Sequence, residues 1–425
     1  MARTPPEILD FVEGGNSNLD DYESLYKQLH SNPELSHQEF STASIIAAKL
    51  RTFPGLEVYE KIGGTGVAAV LHNGPGKTVL LRSEMDALIL EETNLPYSSK
   101  KTTRDEADGL TKPVMHACGH DMHMACLLVA IDDLVKRRQC WLGTLVAVFQ
   151  PAEERGEGAK RMIDGGLYDL VPIPDVLLAQ HVVGKKAGII GMRTGVMMSA
   201  ADSIKLTFRG KGGHASMPET TVDPVIMAAS TIMRLQTIVS RQISPSQDFA
   251  VVTVGKLSTG QAPNIIPQQA EMQINVRTAD ENTREKILNS IGKIARAESM
   301  VSGAEEGPLI ETMTRFPLTR NDTTITENVQ KTFEAVFAGG LDASWLRSNA
   351  SEDFTDIGTV VRKPCCFWFF GGIDKDTWDE AERKGRTTQD IPDNHSPLFA
   401  PAIQPTLTIG RNALIAGALT FLSKA

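Results

Sequence analysis

The chain has 425 residues, 41% hydrophobic and 22% charged, with 35 Gly and 22 Pro; at about 150 residues per domain this predicts two or three folded units and excludes a collagen-like or disordered chain. Its 43 Lys plus Arg against 52 Asp plus Glu leave a net charge of -9, the wrong sign for neutralising phosphates, so no nucleic-acid partner is expected. No apolar run approaches the roughly 18 residues that span a bilayer, Met1 to Gly15 lacks a signal peptide's apolar stretch, and five cysteines are a poor basis for a disulfide framework, so a cytoplasmic protein with no membrane partner is expected.

Residues 1–20, with Pro5, Pro6, Gly14 and Gly15, read as a surface extension, the core beginning near Tyr22. Three short apolar runs follow: Val79 to Leu81, Leu145 to Phe149 and Val176 to Ala179. They fit strands buried on both faces of a largely parallel sheet. Between the first two, Asp121 reads as the N-cap of a helix carrying Met122, Ala125, Cys126 and Val129 on helical spacing and ending near Lys136 to Arg138. Strands alternating with such helices predict an α/β layered domain.

The texture changes near Ala201. Ser203 to Phe208 alternates, Asp223 to Ser240 is helical in pattern, and Ala250 to Val254 and Ala270 to Val276 alternate. Asn282 to Ala297 is again helical, with a strand expected around Pro308 to Met313. That order is the ferredoxin-like, split βαβ arrangement of an α+β domain. The expected organisation is an α/β catalytic domain over 21–198 and 316–425, interrupted by a smaller domain over 199–315.

Polar residues follow each apolar run: Glu84 and Asp86, then Glu153 and Glu154, then His181. Ligands of open α/β sheets bind beyond the carboxyl ends of the strands, so three such ends point to one cleft. The densest signal is Met115 to His123, MHACGHDMH. Cys118 and His120 would diverge on a helix but converge from an extended loop, and thiolate and imidazole both bind zinc-like metals; His116 and His123 read as supporting residues. Adjacent Glu153 and Glu154 suit a division of labour, one binding metal and the other acting as general base towards an attacking water. A solvated acidic pair balanced by Arg155 is the plainer alternative. His395 lies among turn residues and reads either as a fold-distant ligand or as a surface histidine. In the second domain, His214 follows a glycine-rich stretch able to reach a cleft, and Asn264 and Arg277 lie near strand ends, where an Arg could grip a carboxylate.

Taken together, HSNPELSHQEF, RSEMDAL, MHACGHDMH, QPAEERGEGA, AQHV, GKGGHASMP, APNIIP, SEDF and NHSPLF resemble the M20 family of metallopeptidases and amidohydrolases, nearest the branch of hippurate hydrolases, N-acyl-amino-acid amidohydrolases and auxin-conjugate hydrolases. The motifs run in order from about His30 to Phe399. The resemblance implies a metal-bearing α/β domain and a lid domain through which subunits form a homodimer. It makes Cys118 a bridging ligand between two divalent ions per subunit, with His120, Glu154, His181 and His395 completing the site. It makes Glu153 the general base and then acid, His214 the lid residue that stabilises the oxyanion, and Asn264 and Arg277 the residues that hold the substrate. Asp86 takes the supporting carboxylate position. Glu84 stands where the wider family has a histidine ligand, and Glu219 where many relatives have His. The mixed donor set admits zinc or manganese first, cobalt or nickel next. A metal-dependent amidohydrolase for N-acyl amino acids or similar small carboxylated amides is expected; the alternatives are a dipeptidase or aminopeptidase, with Glu219 or Glu352 anchoring a free amino terminus, and a non-catalytic metal-dependent binding protein.

Overall fold

A strand made almost wholly of apolar side chains must be covered on both faces. The computed structural model describes residues 4–15, 17–93, 95–104 and 109–424, in two units: Met1–Met197 with Arg320–Leu346 and Asp353–Ala425, and Met198–Thr319 with Arg347–Glu352. In the first, the apolar runs lie in strands Thr78–Glu84, Trp141–Gln150 and Val176–Lys186. A fourth strand, Cys365–Ile373, is buried along its whole length. These four lie parallel, Thr78–Glu84 between Trp141–Gln150 and Val176–Lys186, with Cys365–Ile373 beyond. Antiparallel strands Gly66–Asn73 and Glu57–Ile62 extend one side and Ile190–Gly191 the other. Among the described residues the sheet has nine strands and is mixed, parallel at its centre with antiparallel pairs on either side. Parallel strands bring their carboxyl ends to one edge, and the residues that follow them meet there.

The helix His120–Lys136 is buried at every position from His120 to Val135, because helices Leu19–His30 and Ile403–Phe421 and the strand Thr78–Glu84 pack around it. It starts one residue earlier than the expected cap at Asp121. Gly119 is the N-cap, in the left-handed region at φ 83°, and a Cβ there would lie 2.4 Å from Val182 Cγ1, so only glycine fits. Asp121 is instead a buried first-turn residue. The expected surface extension is also corrected. Pro5–Glu13 is a helix with Ile8, Phe11 and Val12 buried against helices Thr323–Val336 and Ile403–Phe421, a tertiary contact that a short Pro- and Gly-flanked segment does not announce. Residues 1–3 and 16 of that stretch lie outside the described residues.

In the second unit, strand Ala200–Arg209 pairs antiparallel with Gln269–Thr278 and Leu309–Phe316, and Gln269–Thr278 pairs with Ala250–Thr259. Helices Pro224–Gln242 and Glu281–Val301 connect them. This is the strand–helix–strand–strand–helix–strand order read from the sequence. Ala270, Met272, Ile274 and Val276 are buried in alternation along one strand and join Leu206, Phe208, Leu235 and Ile287 in a core of this unit alone. Asp223 caps the first helix and Asp280 the second, each accepting a backbone N–H.

Candidate metal centre

Beyond the strand Trp141–Gln150 the chain turns sharply. Ala152 sits at φ 50°, an unfavourable conformation for a residue with a Cβ, and its N–H is held by Glu39 Oε1 at 2.8 Å. Burial, then the neighbouring Asp86 carboxylate, raise the Glu39 pKa to about 7. Asp86, just past the strand Thr78–Glu84, is buried and accepts the N–H groups of Glu153 at 3.2 Å and Glu154 at 3.0 Å, and the Ser36 hydroxyl at 2.7 Å. Its carboxylate thereby ties the backbone of both glutamates to Ser36.

The candidate donors gather around Cys118. Its Sγ lies 3.3 Å from His181 Nε2, and donor atoms of Cys118, His120 and His181 all lie within 4.8 Å of one another. So do those of Cys118, Glu154 and His395, and of His120, Glu153 and Glu154. His120 donates from Nδ1 to the Asp86 carbonyl at 2.8 Å, which turns Nε2 towards Glu153 Oε2 at 3.8 Å. His181 donates from Nδ1 to the Val182 carbonyl at 2.7 Å. His395 Nε2 approaches Glu154 Oε1 at 3.3 Å, its N–H anchored on the Ala117 carbonyl at 2.9 Å and its φ at 65°.

These donors fit divalent metal. Among the described residues His120 Nε2 is a buried polar atom with no hydrogen-bond partner, and Glu154 Oε1 has only the 3.3 Å approach of His395, an arrangement that costs free energy unless another group satisfies them. Burial, then the carboxylates of Glu154, Glu153 and Glu84, push the Cys118 thiol well above its usual range. Burial opposes charge on His120, but Asp86 and Glu84 outweigh it and hold its pKa at about 10. The His120 shift reports the carboxylates around it, whereas the Cys118 shift is first an effect of burial and then of those carboxylates; a cation held there would favour the thiolate. His181, by contrast, is driven well below its usual range by burial and the nearby His123.

Several supporting residues were not legible from local pattern. Asn394 donates to the Cys118 carbonyl at 3.0 Å and the Val182 carbonyl at 3.1 Å, tying the Cys118 loop to the His181 strand; its only signal is its place beside His395. His30 bonds Asp121 at 2.6 Å and Glu92 at 2.7 Å, bracing the first turn of the helix that carries His120. The sequence itself marks His116 and His123 as supporting residues: His123 lies between Glu84 and Val182, and His116 is buried with no hydrogen-bond partner for either ring nitrogen among the described residues.

The remaining candidates belong to the second unit. His214 and Asn264 are exposed neighbours: Gly213–His214 pairs with Ile265–Ile266, and Ala215 N–H donates to the Asn264 carbonyl at 3.1 Å. His214 Nδ1 accepts the Ser216 N–H at 3.1 Å. Since a backbone N–H can only donate, the ring proton resides on Nε2. Arg277 donates from Nε to Asn275 at 3.0 Å and from Nη1 to Ser351 at 2.8 Å. Glu219 is exposed.

A partly buried cluster of thiol, imidazole and carboxylate donors, with the Glu153 carboxylate beside it, has the make-up of a metal-dependent hydrolase centre. Comparison with known proteins narrows the class: the chain belongs to peptidase family M20/M25/M40, whose model matches residues 80–383. It is 41% identical over 302 residues to a hippurate hydrolase of Campylobacter jejuni, covering 71% of this chain and 73% of that one. It is 36% identical to thermostable carboxypeptidase 2 of Saccharolobus solfataricus, covering 85% and 92%. Among solved structures, a dinuclear metal-binding peptidase of the M20 family from Bacillus subtilis superposes with a TM-score of 0.72 at 26% identity, covering 94% and 97%. The protein is thus a metal-binding amidohydrolase of this family. Among the described residues no helix is long and apolar enough to cross a membrane.

Proposed function

We propose that the protein hydrolyses the amide bond of N-acyl amino acids or closely related small carboxylated amides, using two divalent ions per subunit. The observation that carries this is the pair of donor sets sharing Cys118, one completed by His120 and His181 and the other by Glu154 and His395. Hippurate is itself an N-acyl amino acid, and the 41% identity to a hippurate hydrolase supports the substrate class. Zinc or manganese suit the donors best, cobalt or nickel next.

Two divalent ions at this place supply Lewis acidity to the amide carbonyl and acidify the attacking water. Glu153, not needed in either Cys118 set, takes the proton from that water as its oxygen bonds to the carbonyl carbon, and returns it to the leaving nitrogen as the C–N bond breaks. Asp86 is a positioning residue that holds Glu153 and Glu154 by their backbone. His214, with its proton on Nε2, donates to the developing oxyanion. Arg277 pairs with the substrate carboxylate and Asn264 orients the amide. The second unit serves as a lid and as the surface of a homodimer, and the protein works in the cytoplasm.

Metal content by elemental mass spectrometry, on protein purified without chelator, tests the reading. Two divalent ions per chain are expected in the wild type and fewer in Cys118→Ala, with turnover of N-acyl amino acids by the wild type alone. No bound metal after adding zinc or manganese would overturn the mechanism and favour a binding protein. A peptidase reading draws on the carboxypeptidase relative; faster cleavage of dipeptides than of N-acyl amino acids would establish it.

A further inference from the structure

Strands of unequal length leave backbone groups unpaired, and a buried N–H that outlasts its neighbouring strand needs another acceptor. Pairing of Val176–Lys186 with Thr78–Glu84 stops at Arg82↔Ala179, and beyond it His123 takes over. Its Nε2 accepts the Val182 N–H at 2.8 Å, which requires the ring proton on Nδ1, where it donates to Glu84 Oε2 at 2.7 Å. The other Glu84 oxygen pairs with Arg82, whose guanidinium reaches Gln150 at 2.9 Å and Asp353 at 3.2 Å. All of these side chains are buried. Both His123 nitrogens are therefore committed to the protein.

The Val182 N–H belongs to the peptide unit that carries the His181 carbonyl, so holding it fixes the backbone from which the His181 ring projects. The next carbonyl, that of Val182, accepts His181 Nδ1–H at 2.7 Å and Asn394 Nδ2 at 3.1 Å. Held from both sides, His181 presents Nε2 to Cys118 Sγ. The His123 ring also packs edge-on against His181, centroids 4.5 Å apart.

We infer that His123, locked by Glu84 and Arg82, is the positioning residue for His181 and sets the affinity of the ion shared by Cys118, His120 and His181, leaving the Cys118, Glu154 and His395 ion untouched. The inference rests on the two-ion reading of the site. Asn at position 123 puts an amide near the Nδ1 position, able to donate to Glu84 but too short for Val182. Gln reaches the Nε2 position and can accept the Val182 N–H.

The experiment is zinc binding, by competition with a chromophoric chelator, to full-length wild type, His181→Ala, His123→Asn and His123→Gln, each checked for fold by circular dichroism. The wild type should bind two ions and His181→Ala should lose one. His123→Asn should hold one ion at wild-type affinity and the other about 10- to 100-fold more weakly, and His123→Gln should recover most of that loss. Glu84→Gln gives a second route if His123→Asn does not fold. An amide whose oxygen faces Arg82 turns its NH2 against His123 Nδ1, moves the ring proton to Nε2 and breaks the Val182 bond, so the same single ion should weaken. If His181→Ala keeps both ions, the two-ion reading fails and takes this inference with it. If it loses one while His123→Asn and Glu84→Gln match the wild type, or if Gln is as weak as Asn, the positioning role alone is overturned.

Discussion

The two units place most of their candidate residues differently. In the first, Cys118, His120, Glu153 and His181 are buried, with His395 alone of the proposed ligands exposed, and backbone carbonyls fix the far nitrogen of His120 and His181. In the second, His214 is exposed at the end of a two-residue strand and Asn264 is exposed in the turn before another, held by Ser216 and by backbone bonds from Ala215 and Met217. The cores differ likewise: Cys365–Ile373 is buried on both faces, whereas Gln269–Thr278 buries every other residue. Donors for a resident cation must be held to a fraction of an ångström. A group that meets only a passing charge, on a substrate that must enter and leave, can sit at the surface of a smaller and simpler domain.

The largest expected effect breaks the chemistry inside the first unit without disturbing its donors. Glu153→Gln should lower kcat by about 10²- to 10⁴-fold while metal content stays at the wild-type value; turnover within a few-fold of wild type would remove Glu153 from the proton-transfer role. A smaller loss is expected in the second unit, where His214→Ala should cost about 10²- to 10³-fold in kcat. Because His214 is exposed, its removal should leave the thermal midpoint within a degree or so, and an unchanged rate would return it to a surface histidine.

The smallest effect sharpens the contrast in electrostatics. Burial opposes charge on His30, but Asp121 and Glu92 outweigh it and raise its pKa to about 10. The stabilisation this ion triad contributes is fully present below the unfolded-state pKa of about 6.5, and is lost as pH rises through about 10. The urea midpoint of metal-free protein should fall between pH 7 and pH 10, and the fall should be shallower in His30→Gln. Equal slopes in the two proteins would mean that His30 does not carry its proton in the folded state.

Local pattern alone determined a good part of this molecule. The apolar runs at Val79, Leu145 and Val176 mark buried strands because a run with no polar face has nowhere else to go. The alternation from Ser203 to Val276, broken by helical stretches, marks the second unit's topology because its sheet has one covered face. The donor types at Cys118, His120, Glu153, Glu154, His181 and His395 were equally legible, since their chemistry belongs to the side chains themselves. What only the tertiary structure decided is how those groups are held. The Pro5–Glu13 helix is fixed by helices more than 300 residues further along the chain, a contact no local window contains. The cap at Gly119 depends on the close approach of Val182, not on the acidic residue that looks like a cap. Asp86 beneath the two glutamates, Asn394 between Cys118 and Val182, and His123 at the end of an outlasting strand each satisfy a backbone group on a distant segment. Such bonds arise because folding leaves particular N–H and C=O groups without a neighbour, and which ones are left is a property of the assembled sheet.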